Sequence, residues 1–533
     1  MRRFLSPEPE VSITNAFARP FDNAVATART CYSGSGIVSE DKVVPSPPAD
    51  EEVRRRRAES RDKLAQDIYK AGHHTTLQHA TFQFAVSNVS RHFIWSFLHS
   101  HPFYNSEQVS QRYVAVKEGS YAVPPLAGEA LAVYAETVSA QNRAYRELCE
   151  TLIPLVEREY FIRFPARSRH PEPWRKEIQK KAQEIARYVL PVATFAYLYH
   201  TVSGLTLLRY HRTSGQYDTP TEQRLVIQKM VDRLLERDPA YLAILEEPIP
   251  FEQTTEHAVL GSFREKADGS GEVLRREFLT EFDAALEGRT SRLVDWPAGN
   301  ESVLAQSVRE VFGLTKGRMP DEEAIALALD PGKNSYLGET LNTTTHSKLT
   351  RALFHPHYTF RKKLSHTADS QNQRHRMTPG SRPILAAHVT GDPDFILPPI
   401  VMEDDKVHRS YAAAMERAWA GIDRLRSLGV EEEFAHYLLP NAVAVRFTES
   451  TDLLNLRHKL AMRLCYNAQE EIWRASLDEA LQIRDVNPFI GKYLLPPCTL
   501  RLMAKTTPLC PEGRRYCGER VWTYELERYQ RLI

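Results

Sequence analysis

A group of donor side chains in the second half of the sequence could bind an anion. Gln371 precedes the triplet Arg374-His375-Arg376, which places two guanidinium groups and an imidazole within three residues. Guanidinium forks bind phosphate or an anionic ring through paired, charge-assisted hydrogen bonds. Charged triplets are also common on exposed surfaces, so the remaining sequence must decide between the two interpretations.

The two halves of the chain share an order of motifs. Tyr-Val-Leu-Pro at 188–191 is echoed by Tyr-Leu-Leu-Pro at 437–440, and Glu222 and Glu471 each lie 31 positions beyond the respective proline. Self-similarity over such distances is stronger evidence than an isolated motif. We therefore infer an internal duplication.

With the duplication in view, the sequence resembles the flavin-dependent thymidylate synthases. That family's hallmark is an Arg-His-Arg triplet followed by a Ser-x-Arg-Tyr element. Arg374-His375-Arg376 preserves the triplet, with Gln371 three places before it as in the family, but the element that follows is shortened. In the first half, the stretch at 106–113 with Gln108, Ser110 and Arg112 is similar to the second element, whereas the triplet position reads Ser-His-Pro.

Two further family positions divide between the halves in the same way. The family's phosphate-binding Arg, four places before the shared Pro, corresponds to Arg187 in the first half and His436 in the second. Its essential Arg, 23 places after that Pro, corresponds to Arg463 in the second half and Ser214 in the first, where Arg212 lies nearby. At these positions each half therefore keeps a family arginine that the other half has replaced.

The resemblance implies one composite site built from both halves. It assigns Arg463 a catalytic role, because an Arg over the uracil carbonyls favours negative charge on the ring. It assigns substrate binding to Gln371, Arg374, Gln108, Ser110, Arg112 and Arg187. The mirror-image site would use Ser100, Pro102, Ser214, Ser381 and His436. We expect that second site to be inactive, since it lacks the cationic fork.

The resemblance also implies FAD as cofactor. The family's His-x-Thr loop is matched by His73 and Thr75, and the triplet by Arg374, His375 and Arg376. The family's Asn-x-Arg positions instead read Ser-Gly-Leu at 203–205 and Asp-Leu-Leu at 452–454, and its later Asn is Arg209 or His458. We therefore expect flavin binding to be altered, with some contacts replaced.

By the same resemblance, the leading function is reductive methylation of deoxyuridine monophosphate (dUMP) to thymidylate (dTMP), with NADPH and methylenetetrahydrofolate as co-substrates. One alternative is flavin-dependent C5 alkylation of another uracil nucleotide. The other is a non-catalytic, nucleotide-binding regulatory protein that kept the phosphate site and lost the redox site. The family's tetramer would become a homodimer of fused chains.

Composition narrows the classes of partner. Lys plus Arg total 69 and Asp plus Glu 68, so the near-zero net charge does not indicate a nucleic-acid partner. No window approaches the roughly 20 apolar residues of a membrane span, and the N-terminus lacks an apolar secretory segment, so we expect a cytoplasmic protein. Six cysteines are too few for a disulfide scaffold. Cys498, Cys510 and Cys517 contain no Cys-x-x-Cys pair, so we assign no metal ligand.

The fold expected from these patterns is mixed α/β (α+β), with two tandem domains, each a sheet packed by long helices. The predicted divisions are a first domain at 1–265, a polar linker at 266–305, a second domain at 306–485 and a C-terminal extension at 486–533. A helix-forming stretch from Glu51 should end at Ala71-Gly72, and alternation at 79–86 predicts a strand. Residues 128–163 and 175–199 have helical composition, and another helix should follow Thr219-Pro220.

Overall fold

The chain folds into two compact units, described in a computed structural model that covers residues 3–99, 104–117, 119–264 and 270–533. The first unit consists of Met1–Glu136, Pro191–Gly271 and Gly421–Leu438. The second consists of Thr137–Leu190, Glu272–Ala420 and Leu439–Ile533. Each unit therefore contains segments from both halves of the sequence.

The first half of the sequence forms four strands and nine helices within its described residues. The strands are β1 (Glu10–Ala16), β2 (Thr81–Ser90), β3 (Asn105–Gln108) and β4 (Phe195–Ser203). The helices are α1 (Pro20–Thr30), α2 (Glu40–Val43), α3 (Glu51–Lys70), α4 (Arg91–Leu98), α5 (Gly128–Arg163), α6 (Arg175–Ala186), α7 (Gly204–Arg212), α8 (Pro220–Arg237) and α9 (Thr255–Arg264).

The sheet of the first unit is antiparallel, with the order β1-β2-β4-β3. Along β2, Phe82, Phe84 and Val86 are buried, whereas the residues between them face outward. The buried face packs in one apolar core with residues of α1, α4, α7 and α8. This period-two pattern is the one that predicts a strand from sequence, and the prediction is confirmed.

The second half repeats this arrangement. Its strands are β5 (Ser291–Asp295), β6 (His357–Ser365), β7 (Gly380–Ser381) and β8 (Ala444–Asp452), and their antiparallel order is β5-β6-β8-β7. The helices are α10 (Ser270–Ala284), α11 (Asn300–Phe312), α12 (Asp321–Leu329), α13 (His366–Asn372), α14 (Asp405–Ser427), α15 (Glu432–Ala435), α16 (Leu453–Arg463), α17 (Glu470–Val486), α18 (Pro488–Gly491) and α19 (Pro497–Met503). The mixed α/β class and the two similar sheets are confirmed.

Local signals located some helix ends correctly. Helix α3 ends at Lys70 with Ala71 as its C-cap, and Gly72 follows at φ +76°, a left-handed conformation that suits glycine. Helix α5 has the predicted bounds, and α8 begins at Pro220. No helix in the described ranges is both long and apolar enough to cross a bilayer.

The helix expected over residues 175–199 is shorter than predicted. Helix α6 stops at Ala186, a short 3₁₀ turn follows, and strand β4 begins at Phe195. Pro191 forces the preceding Leu190 into an extended conformation (ψ 141°), which ends the helical path. Along β4, Ala196, Leu198 and His200 are buried and the tyrosines between them are exposed, which is the alternation that a strand requires.

The segment 266–305, expected as a linker, contains α10, β5 and the start of α11 in its described part. The division of the sequence into these four segments remains a prediction.

Candidate functional site

Glu471 fixes the start of the helix that carries Gln371. Its carboxylate accepts hydrogen bonds from the backbone N of Ser365 at 2.5 Å and from Ser365 Oγ at 2.6 Å. Ser365 Oγ also accepts from the backbone N of Ala368 at 3.0 Å and so caps α13. Burial raises the pKa of Glu471, and the hydrogen bonds from Ser365 and Tyr188 oppose that rise. The buried carboxyl group therefore sets the path of α13.

One amide then joins residues from the two halves of the sequence. Tyr188 donates from its hydroxyl to Glu471 Oε2 at 2.5 Å and accepts from Gln469 Nε2. Gln469 Oε1 accepts from Arg187 at 2.5 Å and also from Gln371 Nε2. Arg187 is buried, with Nε donating to the Glu184 carbonyl at 3.2 Å. The second unit thus brings Arg187 of the first half to Gln371 of the second.

Arg463 extends this network from the end of α16. Its NH2 group donates to the Gln371 carbonyl at 2.7 Å, and its Nε donates to His375 Nε2 at 2.9 Å. Gln371 Oε1 is buried and accepts no hydrogen bond from any residue in the described part of the chain. A buried acceptor of this kind must be satisfied by a ligand or water, so the arrangement fits a ligand that offers an N–H group.

His375 is held as a neutral acceptor. Burial first, and then the charges of Arg463 and Lys459, lower its pKa well below the usual value. Because Nε2 accepts from Arg463, the proton of the neutral ring belongs on Nδ1. An uncharged imidazole can therefore orient the Arg463 guanidinium without repelling it.

The lowered pKa of His375 predicts a pH dependence of stability. An unfolded His titrates near pH 6.5, so below that pH the unfolded chain takes up a proton that the native ring refuses. We expect the free energy of unfolding to fall with decreasing pH by up to about 1.4 kcal/mol per pH unit from this group, until its native pKa is reached. The His375→Gln variant should lose this slope in urea unfolding measured from pH 7.5 to 5.5. His170→Gln, at an exposed position, should keep it, and equal slopes in the two variants would contradict the assignment.

A fully buried charge cluster lies beside the network in the same unit. It consists of Lys362, Lys459, Glu449 and Glu479, each at most 1% exposed. Lys362 Nζ lies 2.5 Å from Glu449 Oε1 and 2.6 Å from Glu479 Oε1, and Lys459 Nζ contacts both carboxylates, at 3.2 Å from Glu479 Oε2. The two ammonium groups balance the two carboxylates, as burial requires.

The buried charge cluster connects the elements that carry the candidate site. Asn372, next to Gln371 at the end of α13, donates to Glu449 Oε2 at 2.6 Å. Lys459 lies one helical turn before Arg463 on α16. The cluster therefore holds α13 and α16 in register with each other.

Two of the corresponding positions of the first unit are aromatic instead of ionic. Counted from the shared prolines, Glu449 and Lys459 correspond to His200 and Tyr210. His200 Nε2 lies 3.2 Å from the Tyr210 hydroxyl, and the Phe97 ring lies 4.9 Å from His200 and 4.7 Å from Tyr210. The two copies have thus diverged in the interior.

The first unit repeats only the beginning of the network. Ser90 caps α4 and donates to Glu222 from its backbone N at 2.7 Å and from Oγ at 2.6 Å, and Tyr437 donates to Glu222 at 2.5 Å. The position of Gln469 is taken by Pro220, which has no side-chain amide. His436, which replaces Arg187, lies 3.0 Å from Glu432. The amide bridge through Gln469 is therefore a feature of the second unit.

The polar element of the first half lies in the first unit, where β3 ends. Gln108 Oε1 accepts from Arg91 at 2.9 Å, and Ser110 Oγ accepts from the backbone N of Arg112 at 3.3 Å. Arg112 also lies over the Tyr113 ring, 5.4 Å from its centroid. Their assignment to nucleotide binding stays a prediction.

The positions expected to bind flavin fall into two groups. His73 and Thr75 lie exposed on a turn of the first unit, and Arg374 is exposed and Arg376 half-buried in the second. Ser203 and Asp452, which replace the family's first Asn, instead cap helices α7 and α16 through their side chains. The turn with His73 and Thr75 and the triplet at 374–376 therefore offer polar side chains at the family's flavin positions. Ser203 and Asp452 instead stabilise the starts of helices.

The residues expected to leave the mirror-image site inactive are only partly described. Ser100 and Pro102 lie outside the described residues. Ser214 is buried in the first unit, and Ser381 is exposed on β7. The inactivity of that site stays a prediction.

Gln469, Tyr188 and the buried charge cluster were missed as functional candidates from sequence. Glu471 was noted only as a marker of register, although the repeated spacing to Glu222 signalled a shared role. Gln469 had a weaker signal: it lies two residues before Glu471, at the N-cap of α17.

The repeated sheet order and the paired Ser-Glu-Tyr networks define a mixed α/β protein with two copies of one fold. A family model described as thymidylate synthase complementing protein matches residues 13–240 and 292–489. The chain belongs to this family, and the two matched segments agree with a tandem duplication.

Named relatives of the chain are flavin-dependent thymidylate synthases. That of Clostridium tetani is 28% identical over 216 residues, which is 39% of this chain and 70% of that protein. That of Geobacter sulfurreducens is 28% identical over 171 residues, covering 31% of this chain and 70% of the relative. That of Pyrococcus abyssi is 26% identical over 190 residues, covering 34% of this chain and 75% of the relative.

Proposed function

We propose that the chain is a flavin-dependent thymidylate synthase that methylates dUMP at C5 to give dTMP, with NADPH and methylenetetrahydrofolate as co-substrates. The observation that carries the proposal is the meeting, in the second unit, of Arg187 with Gln371 through Gln469 and of Gln371 with Arg463. Arg187 lies in the first half of the chain and Gln371 and Arg463 lie in the second, and all three were assigned to one site from the sequence.

The donors and acceptors of this network suit a uracil nucleotide. Arg187 presents a guanidinium group that can pair with a phosphate dianion in a buried setting. The unpartnered Gln371 Oε1 can accept the N–H that a uracil ring carries between its two carbonyls. The set therefore contains partners for both ends of the substrate.

Arg463 is positioned to stabilise charge on the ring. Carbon–carbon bond formation at C5 places negative charge on the uracil carbonyl oxygens, and a fixed guanidinium lowers the energy of that charge. Neutral His375 and the Gln371 carbonyl hold the Arg463 side chain in place before substrate arrives. No enzyme nucleophile is required in this scheme.

Flavin, when bound, would supply the hydride that reduces the transferred one-carbon unit to a methyl group. Arg374, His375 and Arg376 of the second unit and His73 and Thr75 of the first are the family positions that keep polar or cationic side chains. Gln108, Ser110 and Arg112 are proposed to contribute to nucleotide binding. By family analogy the active assembly is a dimer of fused chains.

Arg187→Ala should weaken dUMP binding. Loss of a charge-assisted hydrogen bond of about 1.5–3 kcal/mol raises the dissociation constant about ten- to a hundredfold. Isothermal calorimetry at fixed ionic strength would measure the change. His436→Ala is the matched control, because His436 holds the equivalent position in the first unit and should leave binding unchanged. Equal effects of both variants would contradict the assignment of Arg187.

Product formation tests the proposed function. Purified chain supplied with FAD, NADPH, methylenetetrahydrofolate and dUMP should form dTMP, detected by chromatography. Turnover with another uracil nucleotide, and not with dUMP, would indicate C5 alkylation of a different substrate.

A non-catalytic regulatory role is the second candidate. The observation in its favour is that Ser203 and Asp452 serve as helix caps at positions where the family binds flavin. A purified protein that binds dUMP but takes up no flavin would support this role over catalysis.

A further inference from the structure

Four of the six cysteines in the sequence line one cavity in the second unit. Cys465 follows α16, Cys498 lies on α19, and Cys510 and Cys517 lie in the turns that follow α19. The remaining lining includes Pro496, Pro497, Pro511, Tyr466 and Tyr516. All four thiols are free, and they come from separate segments of the chain. The fold therefore brings Cys465 to the same cavity as the three C-terminal cysteines.

Four thiols that line one cavity are unfavourable as thiolates unless a cation compensates their charge.

A backbone N–H group already points at one of the sulfur atoms. The backbone N of Glu519 donates to Cys517 Sγ at 3.4 Å. The donor lies two residues after the cysteine, and the turn between them depends on Gly518 at φ +94°. Amide donors to sulfur stabilise negative charge on a metal ligand and orient it.

We propose that Cys465, Cys498, Cys510 and Cys517 form a tetrathiolate site for one zinc ion. Zinc prefers four tetrahedral ligands with Zn–S distances of about 2.3 Å, and a site with four cysteines is closed and structural. Each thiol releases its proton as its sulfur binds the ion. No three His, Cys, Asp or Glu side chains in the described ranges form a ready-made metal site, so the proposal requires the four thiols to converge on the ion as it binds.

The ion would anchor the loop between Arg463 and Gln469. Cys465 lies within this loop, and the C-terminal segment already contacts it: Arg531 donates to the Ala468 carbonyl at 2.6 Å and Asn467 donates to the Arg515 carbonyl at 2.7 Å. Zinc binding itself does not depend on the proposed function. The effect of zinc on catalysis through Arg463 does depend on the proposed function.

Elemental analysis of the full chain, purified without a metal-binding tag and under reducing conditions, tests the site. We expect one zinc per chain, and loss of that zinc in Cys498→Ser and in Cys510→Ser. Cys31→Ser and Cys149→Ser are matched controls, because these two cysteines lie outside the cavity lining, and both should keep one zinc. Retention of zinc in the first pair, or bound iron in place of zinc, would overturn the proposal.

Removing zinc from the wild-type chain and adding it back tests the site even if the serine variants fail to fold. Wild-type chain treated with a chelator should lose zinc and melt at a lower temperature, and one equivalent of zinc should restore the melting temperature. Cobalt in place of zinc should give the absorption of a tetrahedral thiolate complex. A reduced wild-type chain that binds neither metal would refute the site, and neither result depends on thymidylate synthesis.

Discussion

Arg463→Ala is expected to lower kcat for dTMP formation by about 10²–10³, the loss typical of removing one donor to a developing oxyanion. The reason is that Arg463 ends α16 with its guanidinium held by the Gln371 carbonyl and His375. Steady-state rates with dUMP as the varied substrate would measure the change. The fall in kcat should exceed any rise in KM, because the charge that Arg463 meets develops mainly in the transition state.

Arg212→Ala provides the control for this result. Arg212 lies near the equivalent position of the first unit, where its Nε pairs with Glu246 at 3.1 Å, and its loss should leave kcat unchanged. Arg463→Lys should be intermediate, since it keeps the charge and loses the planar fork. Wild-type turnover in Arg463→Ala, with an unchanged melting temperature, would refute the catalytic role.

Lys459→Met is expected to destabilise the protein by about 3–5 kcal/mol, because the two buried carboxylates lose one of the two ammonium groups that balance them. Glu449 and Glu479 would then share Lys362, with the Arg382 guanidinium 3.6 Å from Glu449 as the next cation. Equilibrium urea unfolding would measure the loss. The Lys459→Met/Glu479→Gln double variant restores the charge balance and should recover part of the stability.

Tyr210→Phe at the equivalent position of the first unit is the matched comparison. It removes one hydrogen bond to His200 and should cost about 1 kcal/mol. A Lys459→Met variant no less stable than Tyr210→Phe would show that the buried charge cluster does not hold α13 and α16 together.

The fold could be predicted from sequence where local signals were strong. The alternation on β2 and the glycine after α3 act within a few residues, so each could be interpreted without tertiary structure. The path after α6 could not, because Pro191 and the aromatic residues after it have to outweigh a long run of helix formers. The sequence also could not show that residues 137–190 belong to the second unit and residues 421–438 to the first. That assignment depends on contacts between segments that are far apart in the sequence.

The candidate site could be predicted in part, because some of its residues belong to recognisable sequence motifs. Arg187, Gln371 and Arg463 could be chosen because they match motif positions of the resembled family, two of them counted from the proline that both halves share. Gln469 could not, because its role is to join Arg187 to Gln371 across a long sequence separation. Cys465 escaped notice as a partner of the C-terminal cysteines because the sequence shows no short metal-ligand spacing.

The most direct test of the proposed function is a titration of the flavin-loaded chain with dUMP, followed by the flavin absorbance. We predict a perturbation that saturates at one dUMP per chain, followed by bleaching when reduced nicotinamide is added. A chain that binds dUMP yet takes up no flavin, or that saturates at two nucleotides per chain, would contradict a single working site per chain.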